Sequence, residues 1–193
     1  MQTGKIVILS GPSGAGKTTL HKELLKNKNI AKSLMKSVSV TTREKRPGEK
    51  EGRDYFFVSK DEFVRRRKAG DFLEWKKVFD NYYATPKAYV EKVLKKGQNI
   101  LLCIDVKGAN TVRSKYPDAV LIFIMPPSLL ILKERLKARA SETNNSLQLR
   151  LTKARREMIE AKKYKYIVTN DQLTKAINCL EFIFQNELAL RLH

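Results

Sequence analysis

Gly11-Pro12-Ser13-Gly14-Ala15-Gly16-Lys17-Thr18 follows the apolar run Ile6-Val7-Ile8-Leu9, which ends in Ser10, and precedes the helix-compatible segment Thr19-Leu20-His21-Lys22-Glu23-Leu24-Leu25. The spacing is G-x-x-x-x-G-K-[ST], set between a strand and a helix, as a phosphate-binding loop requires. Glycines let the backbone curl until several N–H groups aim at one anion. The following helix adds the positive end of its dipole. The Lys17 ammonium is expected to reach the β- and γ-phosphates of a nucleotide, with the Thr18 hydroxyl on Mg²⁺. Gly11 through Thr19 are therefore the candidate nucleoside-triphosphate-binding residues. The loop implies a nucleoside triphosphate and leaves the acceptor unnamed.

The chain has 193 residues, 42% hydrophobic and 31% charged. That suits one globular domain with a substantial core and small inserted subdomains. No apolar run approaches the roughly 20 residues that cross a bilayer. The N-terminus leads straight into the first strand, so no signal peptide is expected. Cys103 and Cys179 form no C-x-x-C and read as buried apolar residues in a reducing cytoplasm. The net charge of +19 fits either a nucleic-acid binder or an enzyme for highly anionic small substrates. The positive charges are scattered, with one dense run at Arg65-Arg66-Arg67-Lys68, and neither a basic tail nor an aromatic-rich binding motif is seen. Nucleic acid is therefore not read as the primary partner.

The continuous apolar runs Ile100–Ile104 and Ala119–Ile124 suit parallel strands buried on both faces. With Ile6–Leu9 and Tyr166–Val168 they alternate with helical segments, implying a mainly parallel α/β sheet. Ligands of such sheets lie beyond the carboxyl ends of the strands, where the first strand meets the phosphate loop and the strand from Ile100 meets Asp105. A β-rich block interrupts the pattern: Ser37–Thr42, Tyr55–Val58, and the pair Phe72–Val78 and Asn81–Thr85. Within it Ser59 reads as the N-cap of a helix over 60–68, with Glu62 completing a capping box and Gly70 ending it. Pro126-Pro127-Ser128 initiates a basic helix. The expected organisation is a P-loop core over 1–36, 87–128 and 164–193, an insertion over 37–86 and a lid over 129–163.

Inside the insertion, Arg43 and Arg46 share a loop, with Tyr55 and Tyr83 nearby. Arginines recognise phosphate bidentately and tyrosine hydroxyls add donors, so a second anion could bind opposite the first. Glu74 lies between Leu73 and Trp75. A carboxylate there either faces outward or receives paired donors, such as guanine N1–H and the 2-amino group; periodicity alone favours the outward position. His21 reads as a solvent-facing helix residue.

These segments together resemble guanylate kinase. The resemblance runs through the phosphate loop, Ser39-Val40-Thr41-Thr42-Arg43 with Arg46-Pro47-Gly48-Glu49, Gly52-Arg53-Asp54-Tyr55-Phe56-Phe57, Phe72-Leu73-Glu74-Trp75 and Asn81-Tyr82-Tyr83. It continues through Ile104-Asp105-Val106-Lys107-Gly108, Arg135-Leu136 with Arg139, and Tyr166-Ile167-Val168-Thr169-Asn170-Asp171. It implies a P-loop core, a GMP-binding insertion and a helical lid. Arg43, Arg46, Tyr55 and Tyr83 would hold the GMP phosphate, and Ser39, Glu74, Thr85 and Asp105 would read guanine. Lys17 and Thr18 would serve ATP and Mg²⁺. Arg135, Arg139 and Arg150 would clamp the transferring phosphoryl group from the lid, and Asn170 would lie near the adenine. From Ile131 to Lys165 eleven Lys/Arg face four Asp/Glu, which suits an arm that neutralises phosphate charge.

The implied activity is ATP:GMP phosphotransfer, with dGMP as a further acceptor, by a cytoplasmic monomer or homodimer. A non-catalytic protein-binding scaffold of the same fold, or a kinase with another acceptor, remains open. Four positions depart from the family pattern: Cys103 for Asp, Ala84 and Ala140 for Gly, and Lys107 for Gln. Cys103 bears on metal handling.

Overall fold

The computed structural model describes residues 4–78, 80–138 and 144–188, with 144–146 described by backbone only. Its centre is β1 (Ile6–Ser10), buried along its whole length. In a five-stranded sheet β1 lies between β7 (Asn99–Cys103) and β8 (Val120–Met125), with β2 (Leu34–Lys36) outside β7 and β9 (Tyr166–Thr169) outside β8. Every pairing in it is parallel. Side chains alternate across a strand, so Val7 and Leu9 enter one apolar cluster while Ile6 and Ile8 enter another. The first cluster holds α1 (Lys17–Leu24), α2 (Lys28–Ser33) and α8 (Leu173–Leu188) on the sheet; the second holds α4 (Lys87–Lys95) and α5 (Val106–Lys115). Burial on both faces explains the unbroken apolar runs. β2 and α5 were not foreseen, because three residues of strand and a helix of mixed polarity carry little periodic signal.

A second sheet comes entirely from residues 39–86. Its order is β4-β3-β6-β5, from β3 (Ser39–Thr41), β4 (Tyr55–Phe57), β5 (Phe72–Val78) and β6 (Asn81–Pro86). α3 (Lys60–Lys68) covers one face, with Phe63 stacked between Phe72 and Tyr82 at ring separations of 4.8 and 5.0 Å. Ser59 caps α3 by accepting from the Glu62 N–H at 3.1 Å. The Glu62 carboxylate instead pairs with Arg65, so half of the expected capping box forms.

β5 carries the feature that places the site. Phe72 pairs with Pro86 and Glu74 with Thr85, leaving one extra residue on β5. Such a bulge breaks the alternation. Phe72 and Trp75, three apart, both lie against aromatic or cationic groups of the α3 side. Leu73 joins the main core instead, and Glu74 is 4% exposed. Glu74 is thus an inward residue, correcting what periodicity favours.

Between β8 and β9 the described α-helices are α6 (Leu129–Lys137) and α7 (Asn144–Ile159). They pack on each other through Leu132, Leu136, Leu147, Leu151 and Ala154. Ser128 caps α6, accepting from the Ile131 N–H at 3.1 Å. Arg139 and Ala140 lie outside the described residues.

Candidate active site

The loop between β1 and α1 is held by groups close in sequence and by one that is remote. Gly16 has φ 94° and is the N-cap of α1, with no side chain capping the helix. The first-turn N–H groups are left to a ligand. Asn170 supports the loop from behind: its Nδ2 donates to the Ala15 carbonyl at 2.8 Å, and a Cβ on residue 16 would collide with it. Asn170 is buried, so its amide serves the loop's shape. Lys17 Nζ donates to the Gly11 and Pro12 carbonyls at 2.6 and 2.9 Å. Burial, seconded by the Lys76 charge, pulls this ammonium down to about 8. Ser13, Thr18 and Thr19 are exposed at the loop's mouth.

α6 brings Arg135 to the same place. One guanidinium nitrogen, Nη2, donates to the Asn170 carbonyl at 3.1 Å. The other, Nη1, is buried without a partner. A guanidinium so placed is costly unless an anion arrives. Arg150, on α7, is half-buried.

On the opposite wall, the bulge turns Glu74 toward α5. Glu74 Oε1 accepts from the Thr85 hydroxyl at 2.6 Å, while Oε2 is buried with no hydrogen bond. Burial pushes this carboxyl above the usual range, against the Thr85 hydrogen bond and the Lys76 charge. Gly108 allows the approach, since a Cβ there would sit 2.7 Å from Oε2. Asp105 caps α5 at the same point, accepting from the Gly108 N–H at 2.9 Å. Its Oδ1 is 2.9 Å from Lys76 Nζ. Burial works to raise the Asp105 carboxyl, but Lys76 and the Gly108 N–H carry it below its ordinary value.

The strand register gathers the remaining polar groups: Ser39 pairs with Tyr55 and Thr41 with Tyr83. The Tyr55 and Tyr83 rings meet edge-on at 6.1 Å, and the Arg43 guanidinium lies 5.4 Å from the Tyr55 centroid. Glu49 fixes Arg43 bidentately, at 2.7 and 2.9 Å from Nη2. Burial keeps the Tyr55 hydroxyl protonated and able to donate. The Arg46 side chain is exposed; its backbone N–H donates to Glu49.

Four site groups carry no role in the sequence reading: Lys76, Gly108, Lys153 and Glu157. Lys153 Nζ stands 4.0 Å from Asp105 Oδ2 and 3.6 Å from Glu157 Oε1, tying α7 to the start of α5. Burial raises the Glu157 carboxyl. The i, i+4 spacing of Lys153 and Glu157, and the shared face of Glu74 and Lys76, were the signals available. Three readings are corrected. His21 is 3% exposed, and burial with the nearby Lys36 and Lys22 charges takes it down to about 4. Cys179 is exposed and Cys103 half-buried, both free thiols.

Two walls thus face each other. One is a cationic loop with an orphaned guanidinium nitrogen; the other holds an orphaned carboxylate oxygen with arginine and tyrosine donors beyond it. The guanylate kinase family model matches residues 3–187. The chain belongs to the guanylate kinase family. A guanylate kinase of Symbiobacterium thermophilum is 44% identical over 186 residues, covering 96% of this chain and 87% of the relative. One from Rickettsia felis is 44% identical over 184 residues, covering 95% and 94%. The crystal structure of guanylate kinase from Anaplasma phagocytophilum superposes with a TM-score of 0.78 at 35% identity, covering 97% of this chain and 87% of that one. Among the described residues, no helix of this guanylate kinase family member is long and apolar enough to cross a membrane.

Proposed function

We propose that this chain transfers the γ-phosphoryl of ATP directly to the phosphate of GMP, or of dGMP, giving ADP and GDP or dGDP. The observation that carries the choice of acceptor is Glu74. A carboxylate with one oxygen on Thr85 and the other buried and unpartnered asks for N–H donors in its plane. Guanine N1–H and N2–H supply two adjacent donors, and adenine has no equivalent pair, so a wrong base leaves a buried charge unpaired. Ser39 and Asp105 complete the base seat. Arg43, Arg46, Tyr55 and Tyr83 hold the acceptor phosphate. No general base is needed, because the attacking oxygen is already anionic.

On the donor side Gly11–Thr19 wrap the phosphates. Arg135 and Arg150 approach from the lid, and its closure with the insertion keeps water out; Arg139, given the same role by the resemblance, lies outside the described residues. Asn170 acts by holding Ala15 and Gly16. Thr18, at the loop mouth, is a fitting Mg²⁺ ligand, since this ion keeps most of its waters and takes its other ligands from phosphates. The Cys103 thiol, raised by burial to about 11, is neutral and no hard ligand. When bound, the metal would supply neutralisation of the donor's phosphate charge. Two free thiols suit a reducing cytoplasm.

The test is ADP release with GMP, dGMP, AMP or no acceptor. GMP-dependent release at least ~100-fold above AMP is expected. Equal rates with AMP, or release that ignores the acceptor, would overturn the reading.

A further inference from the structure

Lys76 extends from β5 to Asp105, the N-cap of α5. It lies two residues beyond Glu74, on the same face, and directly opposite Tyr83 in the β5–β6 register. Its side chain is 16% exposed, and its ammonium sits 2.9 Å from Asp105 Oδ1. It is also the foremost cationic neighbour of Lys17. Two lysines are therefore held near one another and partly withdrawn from water, where their repulsion is less screened than in bulk solvent. Asp105 is an incomplete remedy, because it also caps α5.

Along the β5–β6 ribbon the order of groups matches a nucleotide lying lengthwise. Glu74 pairs with Thr85 at one level and Lys76 with Tyr83 at the level beyond, a stride of roughly 6.5 Å. A base seated on the first pair directs its phosphate toward the second. We propose that Lys76 is a catalytic residue, donating N–H hydrogen bonds first to the acceptor phosphate and then to the transferring phosphoryl group, with Asp105 as its resting partner. Lys17 serves the donor side of that group and Lys76 the acceptor side. An acceptor phosphate oxygen forms the bond to the γ-phosphorus, and the bond from that phosphorus to the β–γ bridging oxygen breaks. The electron pair leaves with ADP. No proton passes through Lys76; its charge meets the negative charge gathering on the transferred oxygens.

This inference rests on the GMP kinase reading, so wild-type GMP-dependent ADP release is measured first. Lys76→Met and Lys76→Arg are then compared for kcat, for the KM of GMP, and for calorimetric affinity toward GMP and toward guanosine. Lys76→Met should lower kcat at least ~10-fold and weaken GMP binding ~5-fold or more, while guanosine affinity stays within ~2-fold. Lys76→Arg should recover most of the loss. Lys76→Gln carries the same comparison if Lys76→Met does not fold. A kcat within twofold of wild type in the neutral variants would overturn the inference. So would an equal loss for guanosine and GMP, which would make Lys76 a strut for Asp105. Inactive wild type defeats the parent reading; active wild type with active Lys76→Met defeats this inference alone.

Discussion

Replacing Glu74 by Gln should make the protein both more stable and far worse at taking GMP. The side chain keeps its size, and its remaining oxygen still accepts from Thr85, now 2.6 Å away. What changes is the second position, where a charged oxygen lies buried without a partner. A neutral orphan costs less than a charged one, a gain of about 1 kcal/mol. In a chain of this length that raises Tm by roughly 2–4 °C. The gain has a pH signature. Burial raises the folded-state pKa of Glu74 above its unfolded value, so its penalty is absent below the unfolded pKa and grows as pH rises through the folded one. The Tm difference between variant and wild type should therefore shrink toward pH 4 and widen as pH rises. GMP loses two charge-assisted hydrogen bonds, each worth about 1.5–3 kcal/mol, so its KM should rise at least ~100-fold. The ATP KM should stay within ~3-fold. Calorimetric melting across pH and steady-state kinetics with each substrate varied read all of this. A lower Tm together with an unchanged GMP KM would show that Glu74 is a structural strut and refute the argument.

Three further outcomes follow from groups described above. The free-state pKa of Lys17 near 8 should rise when polyphosphate binds; ATP binding should then take up a proton above pH 8, and affinity should fall by up to ~10-fold per pH unit. Calorimetry in buffers of different ionisation enthalpy detects the uptake, and its absence at pH 9 would count against Lys17 contacting phosphate. Gly108→Ala puts a methyl 2.7 Å from Glu74 Oε2, and should raise the GMP KM about 10-fold through displacement of the carboxylate, with the ATP KM unchanged; equal effects on both substrates would point to general damage. Exposed Cys179 should be alkylated well before Cys103, whose thiol burial raises to about 11. Peptide mapping after limited iodoacetamide treatment gives the order, and early labelling of Cys103 would contradict it.

Much of the fold was legible because its signals are short-range or composition-wide. The runs at Ile6, Ile100 and Ala119 are apolar at every position, as only strands buried on both faces need be. Their alternation with helical segments leaves few topologies. Short elements carried too little pattern: β2 has three residues, and its place beside β7 comes from register with Asn99–Leu101.

The strand–loop–helix around Gly11–Thr18 was legible in the sequence alone. The chemistry proposed for it lies in backbone N–H groups and one lysine within eight consecutive residues, so the residue types suffice for that reading. Tertiary structure decided the rest of the site. Whether Glu74 faces water or the interior depends on a bulge visible only in the pairing of β5 with β6. Asn170 reaches Ala15 across 155 residues. Lys76 and Lys153 both reach Asp105 because the fold sets β5 and α7 beside the start of α5. The physical reason is range: backbone geometry and hydrophobic period are local properties of the chain, whereas burial and pairing of charge belong to whatever the fold sets beside them.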